Sequence, residues 1–437
     1  MPRAIDRFLT DINRHACSLH DLRRRGFADL QTMPYLVYYT YSPITAGEME
    51  TRLTTEKAIR KPMNAGARAI KVCFIAPKAY PLFNRDVEEL FGGAEVDLYL
   101  LANELAKDEN FRVSFITADY GQDEVEVIRG VTVIKSLDFR KNPLSGAICI
   151  WRALRKADAD VYMLKTASPG VPLTAVFCLL RKKVFAYKTA SSKECNGKYL
   201  KEHFLLGRAF AWSLRRAPIV FAQKVTDREN LERTIGVSAV VVPNAHLLPK
   251  LSEQEREIIL WVGRSDPVKR PEVFVELAEK VPPEHFVMIC QRATGDQNYD
   301  SLVSKASEVK NLEFIERVPF HEIKTYFQRA KVLVNTSSSE GFPNTFIQAG
   351  RWATPILTLK VNPDGFLDEY GCGLCCSDDF QRLADSLRLM LAGNKYLEYG
   401  RNARTYVEQN HDIVRIIEKY KELFTQLVGT NAVSRQE

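Results

Sequence analysis

Long apolar runs are scarce in these 437 residues. The stretch GVPLTAVFCLLRKK keeps its apolar character for about a dozen residues, short of the ~20 that a bilayer-crossing helix needs. The N-terminus has no long apolar core of the kind a secretory signal carries. Both absences lead to the expectation of a cytoplasmic protein. The nine cysteines, Cys17, Cys73, Cys149, Cys178, Cys195, Cys290, Cys372, Cys375 and Cys376, are mostly scattered through apolar text. They read as reduced, buried small hydrophobes rather than a disulfide framework. Cys372 and Cys375 have a C-x-x-C spacing, but no second ligand pair follows, so no metal site is expected. Charge of one sign is not in large excess. A net +7 suits nucleic acid, an anionic membrane or a phosphorylated substrate and does not choose among them. No motif supports nucleic-acid binding.

What is present is a repeated alternation of strand-like and helix-like text. AIKVCFIAP (69–77) is a β-rich apolar run ending at a proline. GGAEVDLYLLANELAKD (92–108) has Val96, Leu100, Leu101 and Leu105 on one helical face. Strands follow at FRVSFITAD, GVTVIKS, VYMLK, KKVFAYKTA, PIVFAQ and AVVVPN, with helical text between several of them. The alternation predicts a mostly parallel sheet. The pattern restarts after NAHLLPKLSEQE, with strands at REIILWVGRSD, HFVMICQ, NLEFIERV, KVLVNTS and PILTLK. Two successive α/β domains of similar size are therefore expected, over 68–250 and 251–411. Residues 1–67 fit neither. Ile5, Phe8, Leu9 and Ile12 have helical spacing there. Met63 lies just before the first strong strand, and two readings stand: a translation start at Met63, or a loosely attached extension.

Ligands in such folds bind outside the carboxyl ends of the strands, so the strand exits are where chemistry is sought. In ELFGGAEV, Gly92 and Gly93 precede a helix, which lets backbone approach a ligand and turns free N–H groups toward an anion. The stretch is neither G-x-G-x-x-G nor a P-loop, and a plain tight turn would also explain it. In WVGRSDPVKRP, Arg264 and Lys269 follow a strand and suit a diphosphate, the one as a fork and the other as a point charge. A solvated loop is the plainer explanation, and Asp266 and Arg270 read as loop scaffolding. In KVLVNTSSSEGFPNTFIQA, Glu340 sits at a strand exit. Its carboxylate suits sugar hydroxyls, and Phe342 to Thr345 can offer backbone N–H groups. A helix-capping Glu beside a packed Phe is the alternative.

The ordered set FGGAE (91–95), VVPN (241–244), VGRSDPVKRPE (262–272) and EGFPNTFIQA (340–349) resembles the GT-B-fold glycosyltransferases of family 4, over roughly residues 68–430. The resemblance implies two Rossmann-like domains facing across a donor-binding cleft. It implies a retaining transferase that uses a nucleotide sugar such as a UDP- or GDP-sugar, with no cofactor and no metal. It makes Arg264, Lys269 and Glu340 the catalytic residues, the first two on the donor diphosphate and the third on the donor sugar. It makes Gly92, Gly93, Phe342, Pro343, Asn344, Thr345 and Gln348 donor-binding. It also implies that a last helix, here 412–428, crosses back onto the N-terminal domain.

Two positions depart from the family. The second carboxylate of the usual pair is Gln348, which keeps hydrogen bonding to a ribose and loses charge. The usual N-domain histidine is missing from FAYKTASSKECNG, where Lys188, Thr189, Ser191 or Ser192 takes the space; His203 lies nearby in helical text. The implied reaction needs no protein nucleophile, in keeping with the lack of a nucleophile–base pair. The acceptor is a glycan, a lipid-linked sugar or a small molecule. Basic clusters at WRALRKAD, LLRKKVF and SLRRAP suit peripheral contact with an anionic membrane at its inner face, or are ordinary helix ends. A nucleotide-sugar epimerase and a non-catalytic scaffold on the same frame are the rival functions.

Overall fold

The computed structural model describes residues 68–251 and 255–433. The helical spacing at 5–12 and the question of Met63 lie outside the described residues.

The N-terminal sheet has eight strands: β1 (Ile70–Ile75), β2 (Phe111–Thr117), β3 (Val125–Ile128), β4 (Val131–Lys135), β5 (Val161–Lys165), β6 (Val184–Lys188), β7 (Ile219–Ala222) and β8 (Val240–Val241). Their order is β3-β4-β2-β1-β5-β6-β7-β8. Every neighbouring pair is parallel except β3 with β4. Helices cover both faces of the sheet, which is why β5 and β6 are buried along their whole length and read as unbroken apolar runs.

Strand β3 is an addition to the expected set. Its residues VEVI are half-exposed or exposed, so no buried face announces it. It exists because Arg129 and Gly130 both take positive φ, 52° and 80°, and close a two-residue hairpin in which Ile128 pairs with Val131.

The C-terminal sheet has six strands, all parallel: β9 (Ile258–Arg264), β10 (His285–Gln291), β11 (Leu312–Ile315), β12 (Ala330–Asn335), β13 (Ile356–Thr358) and β14 (Gly373–Cys375), ordered β11-β10-β9-β12-β13-β14. The C-x-x-C text supplies β14, and its flanking Cys372 and Cys376 are buried in the apolar layers on either side of this sheet.

The chain crosses between the domains twice, and the crossings lie side by side. The His246 N–H donates to the His411 carbonyl at 2.9 Å, and the Ile413 N–H to the His246 carbonyl at 3.0 Å. The helix Ile413–Val433 then packs on the helix Gly93–Leu105, β1 and β6 of the first domain. Tyr420 lies on Phe221 with ring centroids 4.9 Å apart, and Lys421 pairs with Asp108 at 2.8 Å.

Candidate active site in the interdomain cleft

The carboxyl ends of both sheets open on a cavity of about 360 Å³, within the range of small-molecule sites. Its walls come from the segment Leu90–Glu95, the ends of β5, β6 and β9, and the loop Glu340–Asn344. Chain order fixes this place. From β1 the chain goes to β2 on one side and later returns to β5 on the other, so β1 and β5 flank a switch point where parallel sheets open a crevice.

In the C-terminal wall, Arg264 is the last residue of β9 and Lys269 lies in the loop before the helix Pro271–Lys280. The indole N–H of Trp261 donates to Thr336 Oγ1 at 2.9 Å, and that hydroxyl donates to the Lys269 carbonyl at 2.7 Å. The Ser338 N–H reaches the Val268 carbonyl at 2.8 Å. These bonds lock the loop after β9 to the loop after β12 and set Lys269 against Glu340, with Nζ 2.7 Å from Oε2. Glu340 Oε1 accepts from Asn335 Nδ2 at 2.9 Å and from Ser337 Oγ at 2.7 Å. Burial alone would raise the Glu340 carboxyl, but Lys269 and these two donors outweigh it and hold it below its ordinary value. Glu340 is therefore an ionised acceptor. Three of its roughly four lone-pair sites are used, leaving one for a ligand hydroxyl. Arg264 pairs with Asp266 at 2.9 Å and keeps nearly half its side chain exposed. Arg270 points elsewhere, to Asp378.

The Phe342 side chain belongs to the core, 4.8 Å from the His411 ring and 5.2 Å from Phe366, so this residue offers a ligand its backbone. Gly341, Phe342, Pro343 and Asn344 all line the cleft. Asn344 bridges the domains: its Nδ2 donates to the Gly93 carbonyl at 2.8 Å, and its Oδ1 accepts from Asn244 Nδ2 at 2.9 Å. A Cβ at Gly93 would lie 2.7 Å from Asn344 Nδ2, so any larger residue there would push the bridging amide aside. Thr345 and Gln348 lie on the helix Asn344–Arg351 outside the cleft wall, and the half-buried Gln348 amide has no hydrogen-bond partner among the described residues.

In the N-terminal wall, Gly92 is the N-cap of the helix Gly93–Leu105, and its N–H donates to Glu95 Oε2 at 2.9 Å. Beneath it lies a cluster absent from the sequence reading. Asp97 Oδ2 accepts from Lys165 Nζ at 2.8 Å and lies 2.9 Å from Lys188 Nζ. All three side chains are at most 1 % exposed. Lys165 also donates to Asn244 Oδ1 at 2.7 Å, and Lys188 to the Pro243 carbonyl at 3.1 Å. Burial would raise the Asp97 carboxyl, but the two ammoniums prevail and hold it well below the carboxylate range. Burial pushes the Lys188 ammonium down to about 8, with Asp97 opposing and Lys165 assisting.

None of Lys188, Thr189, Ser191 and Ser192, the side chains expected in the space of the missing histidine, lines the cavity. Lys188 is sealed in this cluster and Thr189 is buried. Ser191 caps the short helix Ser192–Cys195, and Ser192 donates to Asp227 at 2.9 Å. His203 is exposed, its ring tilted against that of Tyr199 with centroids 4.7 Å apart, and lies outside the cleft lining. Lys165 and Asn244 reach the cavity instead. The available signal was a lysine at the exit of an apolar strand, in VYMLK.

Known proteins resemble this chain in sequence and in fold. The family described as "Glycosyltransferase Family 4" matches residues 91–246, and "Glycosyl transferases group 1" matches residues 248–406. A relative from Campylobacter jejuni, GalNAc-alpha-(1->4)-GalNAc-alpha-(1->3)-diNAcBac-PP-undecaprenol alpha-1,4-N-acetyl-D-galactosaminyltransferase, is 24% identical over 368 residues, covering 77% of this chain and 96% of its own. Sucrose-phosphate synthase from Thermosynechococcus elongatus has a similar structure, with a TM-score of 0.68 at 17% identity over 83% of this chain and 100% of its own. So has S. aureus TarM in complex with Fondaparinux, alpha-GlcNAc-glycerol and UDP, with a TM-score of 0.65 at 12% identity over 81% of this chain and 99% of its own. With two Rossmann-like domains around one cleft and family matches over both of them, the chain belongs to the family 4, group 1 glycosyltransferases of the GT-B fold.

Proposed function

We propose that the cleft takes a nucleoside-diphosphate sugar and transfers the sugar, with retained configuration, to a hydroxyl of a lipid-linked glycan. The observation that carries the donor assignment is the locked Lys269–Glu340 pair beside Arg264. A carboxylate for sugar hydroxyls and an arginine for a diphosphate line the cavity, and Lys269, in the loop after the strand that Arg264 ends, stands against that carboxylate. The UDP in the TarM complex and the PP-undecaprenol acceptor in the Campylobacter enzyme's name agree with this reading.

In the proposed reaction the bond from the anomeric carbon to the β-phosphate oxygen breaks. The acceptor oxygen forms its bond on the same face, and its proton passes to the departing phosphate. Arg264 and Lys269 stabilise the charge that grows on that phosphate. Glu340 orients the sugar through its remaining lone pair. Gly341, Phe342 and Asn344 in the loop and Gly93 at the helix start offer backbone N–H groups, and the two segments keep water from the reacting centre. No metal or cofactor is needed where cations neutralise the diphosphate.

The acceptor side rests on an exposed face of the N-terminal domain. The helices Pro143–Ala157, Gly170–Arg181 and Phe204–Arg216 pack in sequence. Their outer faces carry exposed Leu144, Ile148, Leu179, Leu180, Phe204 and Leu205. Exposed Arg152, Arg155, Arg181 and Arg208 stand among them. Apolar side chains set among cations suit the surface of an anionic bilayer. No helix among the described residues is long and apolar enough to cross a membrane, so the contact is peripheral.

A thermal-shift screen of UDP-, GDP- and ADP-sugars tests the donor assignment, because a ligand of the folded state raises apparent stability. Product analysis with the donor that binds separates the rivals. Free nucleoside diphosphate with a new glycoside means transfer, and an epimerised nucleotide sugar means the other enzyme class. Sedimentation with phosphatidylglycerol and phosphatidylcholine vesicles tests the membrane face: binding to the first and loss in a Leu179→Glu/Leu180→Glu double variant are expected.

A further inference from the structure

The charges around the cleft do not balance equally on its two sides. In the C-terminal wall each cation has its own carboxylate: Arg264 has Asp266, and Lys269 has Glu340. In the N-terminal wall two ammoniums share one oxygen of Asp97. Its other oxygen, Oδ1, is taken by the Ala245 N–H at 3.1 Å. The buried Glu194 acts on Lys165 from further off, but its oxygens are taken by the Tyr187 hydroxyl and the Ala167 and Ala190 N–H groups. At contact distance, then, one carboxylate faces two ammoniums, and the excess positive charge has almost no access to solvent. Such a charge is costly unless a counter-charge arrives.

The geometry shows where that counter-charge would come from. Lys165 ends β5 at the switch point and lines the cavity. Two of its three N–H bonds go to Asp97 and Asn244, and the third has no acceptor among the described residues. Gly92, Gly93 and Ala94, which open the 13-residue helix, line the same cavity with their positive helix end. Lys188 lies behind, under the Tyr420 ring at 5.8 Å, and is closed off from the cavity.

We propose that Lys165 is a ligand of the donor's β-phosphate, supplied by the N-terminal domain, with Asp97, Asn244 and Lys188 as its positioning residues. The departing phosphate is then held from both sides: by Arg264 and Lys269 from one domain and by Lys165 and the Gly92–Gly93 turn from the other. Lys165 thus works on the leaving group. Asn244 links Lys165 to Asn344, and so to the loop that carries Glu340.

This inference rests on the nucleotide-sugar reading, and titration calorimetry separates the two. Wild-type protein is titrated with UDP, GDP and ADP and with the matching monophosphates. If no diphosphate binds, the nucleotide-sugar reading falls and the inference with it. If one binds, Lys165→Met is expected to weaken it roughly tenfold or more, as for loss of a charge-assisted hydrogen bond. The monophosphate is expected to change less than about threefold. Equal diphosphate affinity in wild type and variant overturns the inference, and so does an equal loss for both nucleotides. Should Lys165→Met fail to fold, a crystal structure of the wild-type chain with the bound diphosphate decides. Lys165 Nζ is expected within about 3.2 Å of a β-phosphate oxygen, and a separation beyond about 5 Å overturns the inference.

Discussion

The two walls of the cleft use charge differently. The C-terminal wall carries Arg264, Lys269 and Glu340 on strand-exit loops, each cation matched to a carboxylate and each with some contact with solvent. The N-terminal wall carries Lys165 and Lys188 at the last residues of two buried strands, against a single Asp97 with no solvent contact. The first arrangement can exchange its partners for a ligand at low cost. The second is part of the architecture: it ties β5, β6, the helix Gly93–Leu105 and the crossing at Asn244 into one unit. Cations that look alike in the sequence thus differ in role. Removing one from the loops should act on binding and rate alone, whereas removing Asp97 from the buried cluster should act on folding, and Lys165, the member of the cluster that lines the cavity, joins both.

The largest effect is expected at Asp97. Asp97→Asn leaves two buried ammoniums without a counter-charge and should cost about 3–5 kcal/mol of stability. The control, Asp385→Asn in the exposed pair with Arg388, should cost less than about 1 kcal/mol. Urea midpoints of both variants measure the contrast, and equal losses would break it.

Next in size is a loss of rate without loss of fold. Lys269→Met or Glu340→Gln should lower kcat by roughly 10²–10³, as when a preorganised electrostatic group is removed. The melting temperature should move by no more than a few degrees. Steady-state kinetics beside a thermal melt would read this, and a collapse of Tm would place these loop residues with the buried cluster.

Acid should separate the walls as well. The folded Asp97 carboxyl lies well below the 3.8 of an ordinary aspartate. Its pairing therefore stabilises the fold fully above about pH 4, and the contribution is lost as pH falls further. Wild-type stability should drop more steeply below pH 4 than that of Asp97→Asn, as urea midpoints at a series of pH values would show.

Smaller still is the contact that spans the cleft at its far end. Asp364, in the C-terminal domain, accepts from the Val225 N–H at 2.7 Å and so caps the N-domain helix Val225–Ile235. Asp364→Ala should cost about 1 kcal/mol, as for loss of a helix cap. Hydrogen exchange should rise in 225–235 and stay unchanged in β5 and β6.

The smallest effect is expected for Gln348→Glu, with donor affinity changed by less than about threefold, since an amide already offers a ribose both a donor and an acceptor. Calorimetry would read it. A large gain would mean that the native site has decayed.

The loop wall was legible in the sequence because its residues are local to one another in text. Glu340, Gly341 and Pro343 follow a strand-like run, and Arg264 and Lys269 follow another, so period and turn residues locate them. The buried cluster was not legible. Asp97 lies inside amphipathic helical text, where a carboxylate reads as a solvated residue. Lys165 and Lys188 each end an apolar strand, and they meet Asp97 through the order β1-β5-β6, which pattern alone does not specify. The short edge strand β3 was missed for a related reason: with no buried face it shows no periodicity to find. Gln348 is legible only through its place in the motif: it stands on the helix Asn344–Arg351, about one turn beyond the loop that lines the cavity, and no local pattern marks it for a ribose.

The direct test of a donor site built on the loop wall is calorimetric titration of the wild type, Arg264→Met and Lys269→Met with UDP, GDP and ADP. One nucleoside diphosphate should bind the wild type at a single site, with each variant weakened roughly tenfold or more while melting like the wild type. No binding of any of the three to the wild type, or undiminished binding in both variants, would contradict it.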